Sequence, residues 1–136
     1  MDMKIIFPGN KKVHAMYNGY EIQTDQPAMS GGDDTAPAPF DLFLASLGTC
    51  AGIYVLGFCQ QRGLPTEGIE LTQRMTFDPS KRMIGTIDID ISIPADFPEK
   101  YRDALVNVAS LCAVKKHIQD PPAFNITTSV KGTALA

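Results

Sequence analysis

The chain has few cysteines and no concentration of charge of either sign, and both absences restrict its function. Only three of its 136 residues are cysteine, an odd and widely spaced set that suits free thiols in a reducing compartment better than a disulfide framework. The net charge is −3, with acidic and basic residues interspersed, so no basic surface for nucleic acid or an anionic membrane is expected. We expect neither partner.

Other familiar signals are also missing. The chain has no phosphate-binding loop and no dinucleotide-binding glycine pattern. Its N-terminal apolar run ends at Pro8, too early for the core of a signal peptide, so a cytoplasmic location is expected. What the chain does have is 44% hydrophobic residues, enough for a single domain over residues 1–136 with its own core and no metal or disulfide.

Apolar and polar residues alternate along several short runs, which predicts strands at 3–7, 12–18, 20–25, 66–77, 82–93 and 124–130. Helical spacing predicts helices over 40–61, 98–110 and 112–119. Between the third strand and the first helix, residues 26–39 are rich in glycine, proline and aspartate and are predicted to form a mobile loop. The order βββ-α-ββ-α-α-β predicts an α+β domain with an antiparallel sheet and helices grouped on one side.

The predicted helix over 40–61 is apolar nearly all the way round, and such a helix has to be buried on every side. One sheet of short strands covers only one side, so a second copy of the chain is expected to cover the other. Its uncharged stretch, 42–59, is also long enough to cross a membrane. Three glycines, flanks without basic clusters and the half-polar strands on both sides favour a soluble protein instead.

Thiol chemistry is the main functional signal. Cys50 lies inside the long apolar helix, and Cys112 begins a helical segment that carries Lys115 and Lys116, where a thiolate would be stabilised. The alternative for Cys112 is an inert core residue. Cys59 is nine residues after Cys50, half a turn out of phase and roughly 13 Å along the axis. Any sulfur partner of Cys50 must therefore be Cys112, and Cys59 is predicted to be a buried small hydrophobe.

Two other readings of these residues are disfavoured. Residues 48–52 match G-x-C-x-G, a cysteine version of the nucleophile elbow with Asp103 and His117 downstream, but that motif needs a parallel sheet and a strand immediately before it. Cys50, Cys59, Cys112 and His117 are potential zinc ligands, but none of their spacings matches a zinc knuckle. No metal or cofactor is expected.

Two segments resemble the OsmC/Ohr family, particularly its OsmC-like branch: Pro39-Phe40-Asp41-Leu42-Phe43-Leu44-Ala45-Ser46-Leu47-Gly48-Thr49-Cys50 and Cys112-Ala113-Val114-Lys115-Lys116-His117-Ile118. The resemblance extends over nearly the whole chain, including the strand order. It implies an OsmC-like fold and an intertwined homodimer, with the long helices buried at its centre and the sites at the subunit interface.

The resemblance also implies a reaction. Members of the peroxidase type reduce organic hydroperoxides, which would make Cys50 the peroxidatic thiolate and Cys112 the resolving thiol. The resulting intramolecular disulfide would be re-reduced by an external dithiol.

The chain departs from that family pattern at two positions. Peroxidase members pair the reactive cysteine with an N-terminal arginine and a glutamate, whereas this chain has no arginine before Arg62 and has Phe40 at the glutamate position. Asp41 could replace the glutamate only if the helix start were distorted. The activating group is left open among the helix N-terminus, Lys115 or Lys116, and an arginine such as Arg62, Arg74, Arg82 or Arg102 brought to the site by a second copy of the chain. A non-catalytic, ligand-binding or thiol-sensing dimer is the alternative function.

Overall fold

Residues 1–132 are described by the computed structural model of the chain, and they form the predicted α+β domain. The strands are β1 (Lys4–Gly9), β2 (Lys12–Tyr17), β3 (Tyr20–Thr24), β4 (Glu70–Asp78) and β5 (Met83–Ser92). The α-helices are α1 (Pro39–Gln61), α2 (Arg102–Ala109) and α3 (Ala113–Gln119), and 3₁₀ turns occur at Ala28–Ser30 and Glu99–Tyr101.

The strands pair antiparallel, as predicted, but within this part of the chain they form two sheets instead of one. The first sheet has the order β1-β2-β3 and the second is the β4-β5 hairpin. The β2–β3 turn has positive φ at both Asn18 (50°) and Gly19 (78°), the backbone that a tight hairpin needs. Alternation identifies residues suited to a strand, but it does not identify which strand edges meet.

The last predicted strand is wrong. Residues 121–130 contain neither helix nor strand, although Phe124 and Ile126 alternate with polar neighbours and are 83% and 96% exposed. A strand exists only when a neighbouring edge supplies its hydrogen bonds. The sequence pattern cannot reveal whether its own chain provides that edge.

Local signals set both ends of α1. Pro39 is the first helical residue, and the Asp41 carboxylate accepts a hydrogen bond from the Ala38 amide at 3.1 Å, which satisfies one of the free amides at the helix start. At the other end Gly63 has a φ of 63°, the left-handed conformation that commonly terminates helices. Boundaries of this kind follow from residues that are neighbours in sequence.

The core lies between the C-terminal half of α1 and the residues around α2. Val55, Phe58 and Cys59 pack with Phe97 and Leu105, and apolar residues of the β4-β5 hairpin surround them. Within the described chain α1 is buried along one stripe only, because Ile53, on the opposite side, is 58% exposed. The chain itself thus covers one side of α1, as expected, and the covering of the other side by a second copy stays a prediction.

By length and composition α1 is also a helix that could cross a membrane. It has 23 residues, its most apolar window has a mean hydropathy of 1.9, and 28% of that window is buried by the rest of the chain. The core helix of a soluble protein has the same properties, so this similarity is weak support for a span.

The segment 26–39 is more ordered than its composition predicts. Asp25 is fully buried, and its carboxylate accepts hydrogen bonds from the Thr35 hydroxyl at 2.6 Å and the Gln26 amide at 2.7 Å. These hydrogen bonds, that of Thr35 most of all, lower the pKa of the Asp25 carboxyl. The salt bridge between Lys12 and Asp33 attaches the same segment to β2. One buried acceptor thus organises a glycine-rich loop that enters α1.

Candidate active site at the start of helix α3

Cys112 caps the first turn of α3 instead of lying inside the helix. Its backbone is extended (φ −49°, ψ 121°), and its sulfur accepts a hydrogen bond from the Lys115 amide at 3.4 Å. The thiol in turn donates to the Leu47 carbonyl of α1 at 3.9 Å. The side chain is only 4% exposed. Cys112 therefore connects α3 to the turn of α1 that precedes Cys50.

Cys50 faces the same place from α1. The backbone amides of Val114 and Ala113 and the thiol of Cys112 lie close enough to its sulfur to lower the pKa of Cys50. The Val114 amide is the largest of the influences that lower the pKa of Cys50, and partial burial opposes them. A thiolate at this position is stabilised by the free amides of a helix start. The structure thus brings together the two cysteines that the sequence analysis paired, and both are free thiols.

Cys59 has no part in this arrangement. It is 0% exposed and packs in the core, where burial raises the pKa of its thiol and the charge of Arg62 only partly opposes that rise. The prediction that Cys59 is a buried small hydrophobe is confirmed.

The sequence left the activating group open, and the structure favours the helix start. Within residues 1–132, the interactions that lower the pKa of Cys50 come from two amides and a thiol, and none comes from a charged side chain. Lys115 interacts through its backbone amide, and with Cys112. Arg62 lies 3.7 Å from the centre of the Phe58 ring and donates to the Phe58 carbonyl at 3.3 Å, at the far end of α1.

The carboxylate that the family pattern places before the cysteine is not replaced within the described chain. Asp41 caps a regular helix start, so the distortion that would turn it toward Cys50 is absent there. Phe40 is 55% exposed and stacks on Phe43, with ring centres 5.6 Å apart. The position at which the family pattern has a glutamate therefore carries an exposed aromatic ring.

A cavity of about 390 Å³ lies beside Cys112, between α1, β5, α2 and α3. Its walls are mostly aliphatic, and Lys115 is its one charged lining residue in the part of the chain that is described. Pockets of this size accept small organic ligands. The cavity adjoins the thiol of Cys112 and is not lined by Cys50.

The two disfavoured readings do not gain support. All strand pairs found in residues 1–132 are antiparallel, which contradicts the parallel sheet required by a nucleophile elbow, and His117 is bonded to the Ala113 carbonyl at 2.6 Å. No group of three or more His, Cys, Asp or Glu side chains in the same residues could hold a metal ion.

Sequence reasoning missed the residues that donate to Cys50. Ala113 and Val114 act through backbone amides, and their aliphatic side chains carry no functional signal. The clue available in the sequence was the position of Cys112 at the start of a helical segment. Which sulfur would meet the free amides there depends on how α1 packs against α3.

Comparisons with known proteins identify the family and the fold of the chain. The profile of the OsmC-like protein family matches residues 31–127, the part that contains both cysteines. No curated protein matches the sequence significantly.

Solved structures share the fold. A Psychrobacter arcticus 273-4 protein, described as an osmotic stress induced and detoxification response protein, is 26% identical to this chain. Its TM-score is 0.66 over 84% of this chain and 85% of that one. OsmC of Legionella pneumophila, an organic hydroperoxide resistance protein, is 17% identical, with a TM-score of 0.56 over 87% and 88% of the two chains. A Vibrio cholerae protein assigned to organic hydroperoxide resistance, with captopril in one of its active sites, is 15% identical, with a TM-score of 0.53 over 89% and 86%.

Fold and site together define an α+β protein in which Cys50 of the long helix α1 faces the start of the short helix α3, where Cys112 lies. The chain belongs to the OsmC-like protein family, as the family profile matches well over half of its length.

Proposed function

We propose that the protein reduces organic hydroperoxides, with Cys50 as the peroxidatic thiolate and Cys112 as the resolving thiol. The observation that carries the proposal is that the start of α3 is attached to α1 by the hydrogen bond from the Cys112 thiol to the Leu47 carbonyl, and that its amides and this thiol lower the pKa of Cys50. Family membership supports a role in redox chemistry or hydroperoxide resistance. An acidified, partly exposed thiol next to a second thiol is typical of cysteines that react with peroxides.

In the first step the Cys50 thiolate attacks the terminal oxygen of the hydroperoxide. A sulfur–oxygen bond forms as the oxygen–oxygen bond breaks, and the alcohol leaves after taking up a proton. Sulfur is oxidised to a sulfenic acid, and the peroxide is reduced by the same two electrons. The amides of Ala113 and Val114 stabilise the thiolate before the attack.

In the second step the Cys112 sulfur attacks the Cys50 sulfenic acid. A disulfide forms, and the hydroxyl oxygen leaves as water. An external dithiol then reduces the disulfide by thiol–disulfide exchange and is itself oxidised to a disulfide. None of these steps calls for a metal or a bound cofactor.

The test is to treat the reduced protein with one equivalent of an alkyl hydroperoxide and to map its thiols by alkylation and mass spectrometry. We expect a Cys50–Cys112 disulfide, with Cys59 still free as an internal control. Recovery of Cys50 and Cys112 as free thiols after treatment would show that the proposal is wrong.

A binding module is the second candidate, and a specific observation favours it. The family carboxylate is missing near Cys50, and an aliphatic cavity of about 390 Å³ lies beside Cys112. Under this alternative the cysteines are passive or act as a thiol sensor, and the cavity holds a small apolar ligand. Titration with a fluorescent aliphatic probe would then give the same affinity for wild type and Cys50→Ser, and a loss of affinity in the variant would contradict it.

We also propose that the active form is a homodimer. Phe40, Phe43, Ile53 and Tyr54 expose apolar surface along α1, and Ile5 and Phe7 expose more on β1; surfaces of this kind are usually covered in an assembly. Light scattering should give twice the mass of the 14.8 kDa chain, and a monomer at micromolar concentration would contradict the proposal.

The free thiols suit the reducing cytoplasm, and recovery of the protein with membranes after cell fractionation would contradict that location.

A further inference from the structure

Gln73, in the middle of β4, carries a buried acceptor without a partner. Its Nε2 donates to the Leu44 carbonyl of α1 at 2.9 Å and lies 3.5 Å from the sulfur of Met75. Its Oε1 is buried, and no hydrogen bond reaches it from the described residues. Turning the amide over would set Oε1 against the Leu44 carbonyl, so the hydrogen bond to Leu44 selects this orientation. An unsatisfied buried acceptor costs folding free energy, and its retention calls for an explanation.

Gly48 is the residue of α1 that lies over this acceptor. A Cβ added at Gly48 would be 2.7 Å from Oε1 of Gln73, closer than van der Waals contact permits. Glycine inside a helix is itself unfavourable compared with alanine. At this contact β4 contributes a buried acceptor without a partner, and α1 contributes a glycine that is unfavourable inside a helix. The absence of a Cβ at Gly48 leaves room for the Gln73 carboxamide against the helix.

This contact involves Leu44 and Gly48, which precede Cys50 by six and two residues on α1. Gln73 binds the carbonyl of Leu44, and Cys112 binds the carbonyl of Leu47, so side chains of two other elements attach α1 immediately before the reactive cysteine. A sulfur on a helix is about 5 Å from the helix axis, so a rotation of α1 by ~20° would move it by nearly 2 Å. A displacement of that size is enough to break a hydrogen bond.

We propose that Gln73 is a positioning residue that fixes the rotation of α1 against the β4-β5 hairpin and so holds the Cys50 sulfur within reach of the amides of α3. Gly48 makes that position possible, and Cys112 supplies the second attachment. The inference deepens the proposed function, on which it rests for the role of Cys50. It depends on the geometry of the thiol alone and can be tested without any hydroperoxide.

The test is the rate of Cys50 alkylation by iodoacetamide as a function of pH, followed by mass mapping of the full-length protein. Gln73→Met keeps the length of the side chain and removes both hydrogen-bonding groups. We expect the rate at pH 7 to fall about three- to tenfold, because less Cys50 is thiolate, and the midpoint of the rate–pH curve to move upward. Gln23→Met, the same change on the exposed β3 strand, is the matched control and should leave both quantities unchanged.

A second pair of variants separates positioning from stability. Gly48→Ala keeps Gln73 but displaces its carboxamide, so it should move the midpoint in the same direction. In a Gln73→Ala background the colliding atom is gone, and adding Gly48→Ala should have no further effect. If Gln73→Met does not fold by circular dichroism, Gly48→Ala alone decides the question.

An unchanged midpoint in the folded variants would overturn the inference, and so would a fall in rate at every pH without a shift of the midpoint. Because alkylation needs no peroxide, a wild-type protein that fails to reduce hydroperoxides would contradict the proposed function and leave this result standing.

Discussion

Cys50 and Cys59 lie nine residues apart on the same helix, yet their thiols have opposite properties. Cys50 is partly exposed and receives the amides of α3, and its pKa is lowered. Cys59 is 0% exposed among apolar side chains, and burial raises its pKa. Residue type and helix are shared, so the difference comes from what packs against each face. Backbone amides of a neighbouring helix and the thiol of Cys112, and no charged side chain of the described residues, lower the pKa of Cys50.

The largest expected difference between the two is in hydroperoxide reduction. Cys50→Ser should lower the rate at least about a hundredfold, because a hydroxyl has no comparable nucleophilic form at neutral pH. Cys59→Ser, if folded, should stay within roughly twofold of wild type. The measurement is peroxide consumption with an excess of a dithiol reductant. Equal losses in both variants would remove the functional distinction between the two cysteines.

The second difference is in stability, where substitution of Cys59 should cost more than substitution of Cys50. Cys59→Ser places a hydroxyl in the apolar core and should lower the free energy of unfolding by about 1–3 kcal/mol. Cys50→Ser should lower it by less than about 1 kcal/mol, since a hydroxyl there can accept the same amide hydrogen bonds. Urea denaturation followed by circular dichroism measures both values, and a larger loss for Cys50→Ser would reverse the assignment of the core.

The raised pKa of Cys59 adds a dependence on pH. Because the folded state resists ionisation of this thiol, its contribution is complete below the ordinary thiol pKa and is lost as the pH rises through the folded value. Wild type should therefore lose stability at alkaline pH, and Cys59→Ala should lose less over the same range. An identical alkaline loss in both proteins would argue against burial of an ionisable thiol at this position.

The smallest expected effect tests the amides directly. Ala113→Pro deletes one N–H at the first position of α3, where proline is tolerated, and the extended backbone of Cys112 is compatible with a following proline. The pKa of Cys50 should rise, and its alkylation rate at pH 7 should fall roughly twofold to fivefold. Lys115→Met, which removes a candidate cation of α3 and keeps its amide, is the control and should change the rate little. The opposite ranking would assign the activation to Lys115.

Several features could be predicted because they depend on neighbouring residues. Pro39, Asp41 and Gly63 are local signals, and they locate α1 within one residue of its observed bounds. Helical phase separated Cys50 from Cys59 for the same reason, since the geometry of a helix is known in advance. The remaining cysteine, Cys112, was then the only sulfur that could meet Cys50, and it does so.

Other features could not be predicted because they depend on distant partners. Residues 124–130 alternate like a strand, but a strand needs an adjacent edge. The segment 26–39 has the composition of a mobile loop, but the buried carboxylate of Asp25 organises it. The contact of Gln73 with Gly48 joins residues that are 25 positions apart, and neither carries a functional signal alone.

The sequence by itself determined the α+β class, the limits of the long helix and which two cysteines could meet, because these follow from periodicity, capping residues and helical phase. Tertiary structure decided which groups lower the pKa of Cys50. A helix can present a thiol in any direction around its axis, and only the packing of α1 against β4 and α3 aims Cys50 at free amides while it buries Cys59 among hydrocarbons. That choice depends on hydrogen bonds between elements far apart in the chain, and no local pattern records them.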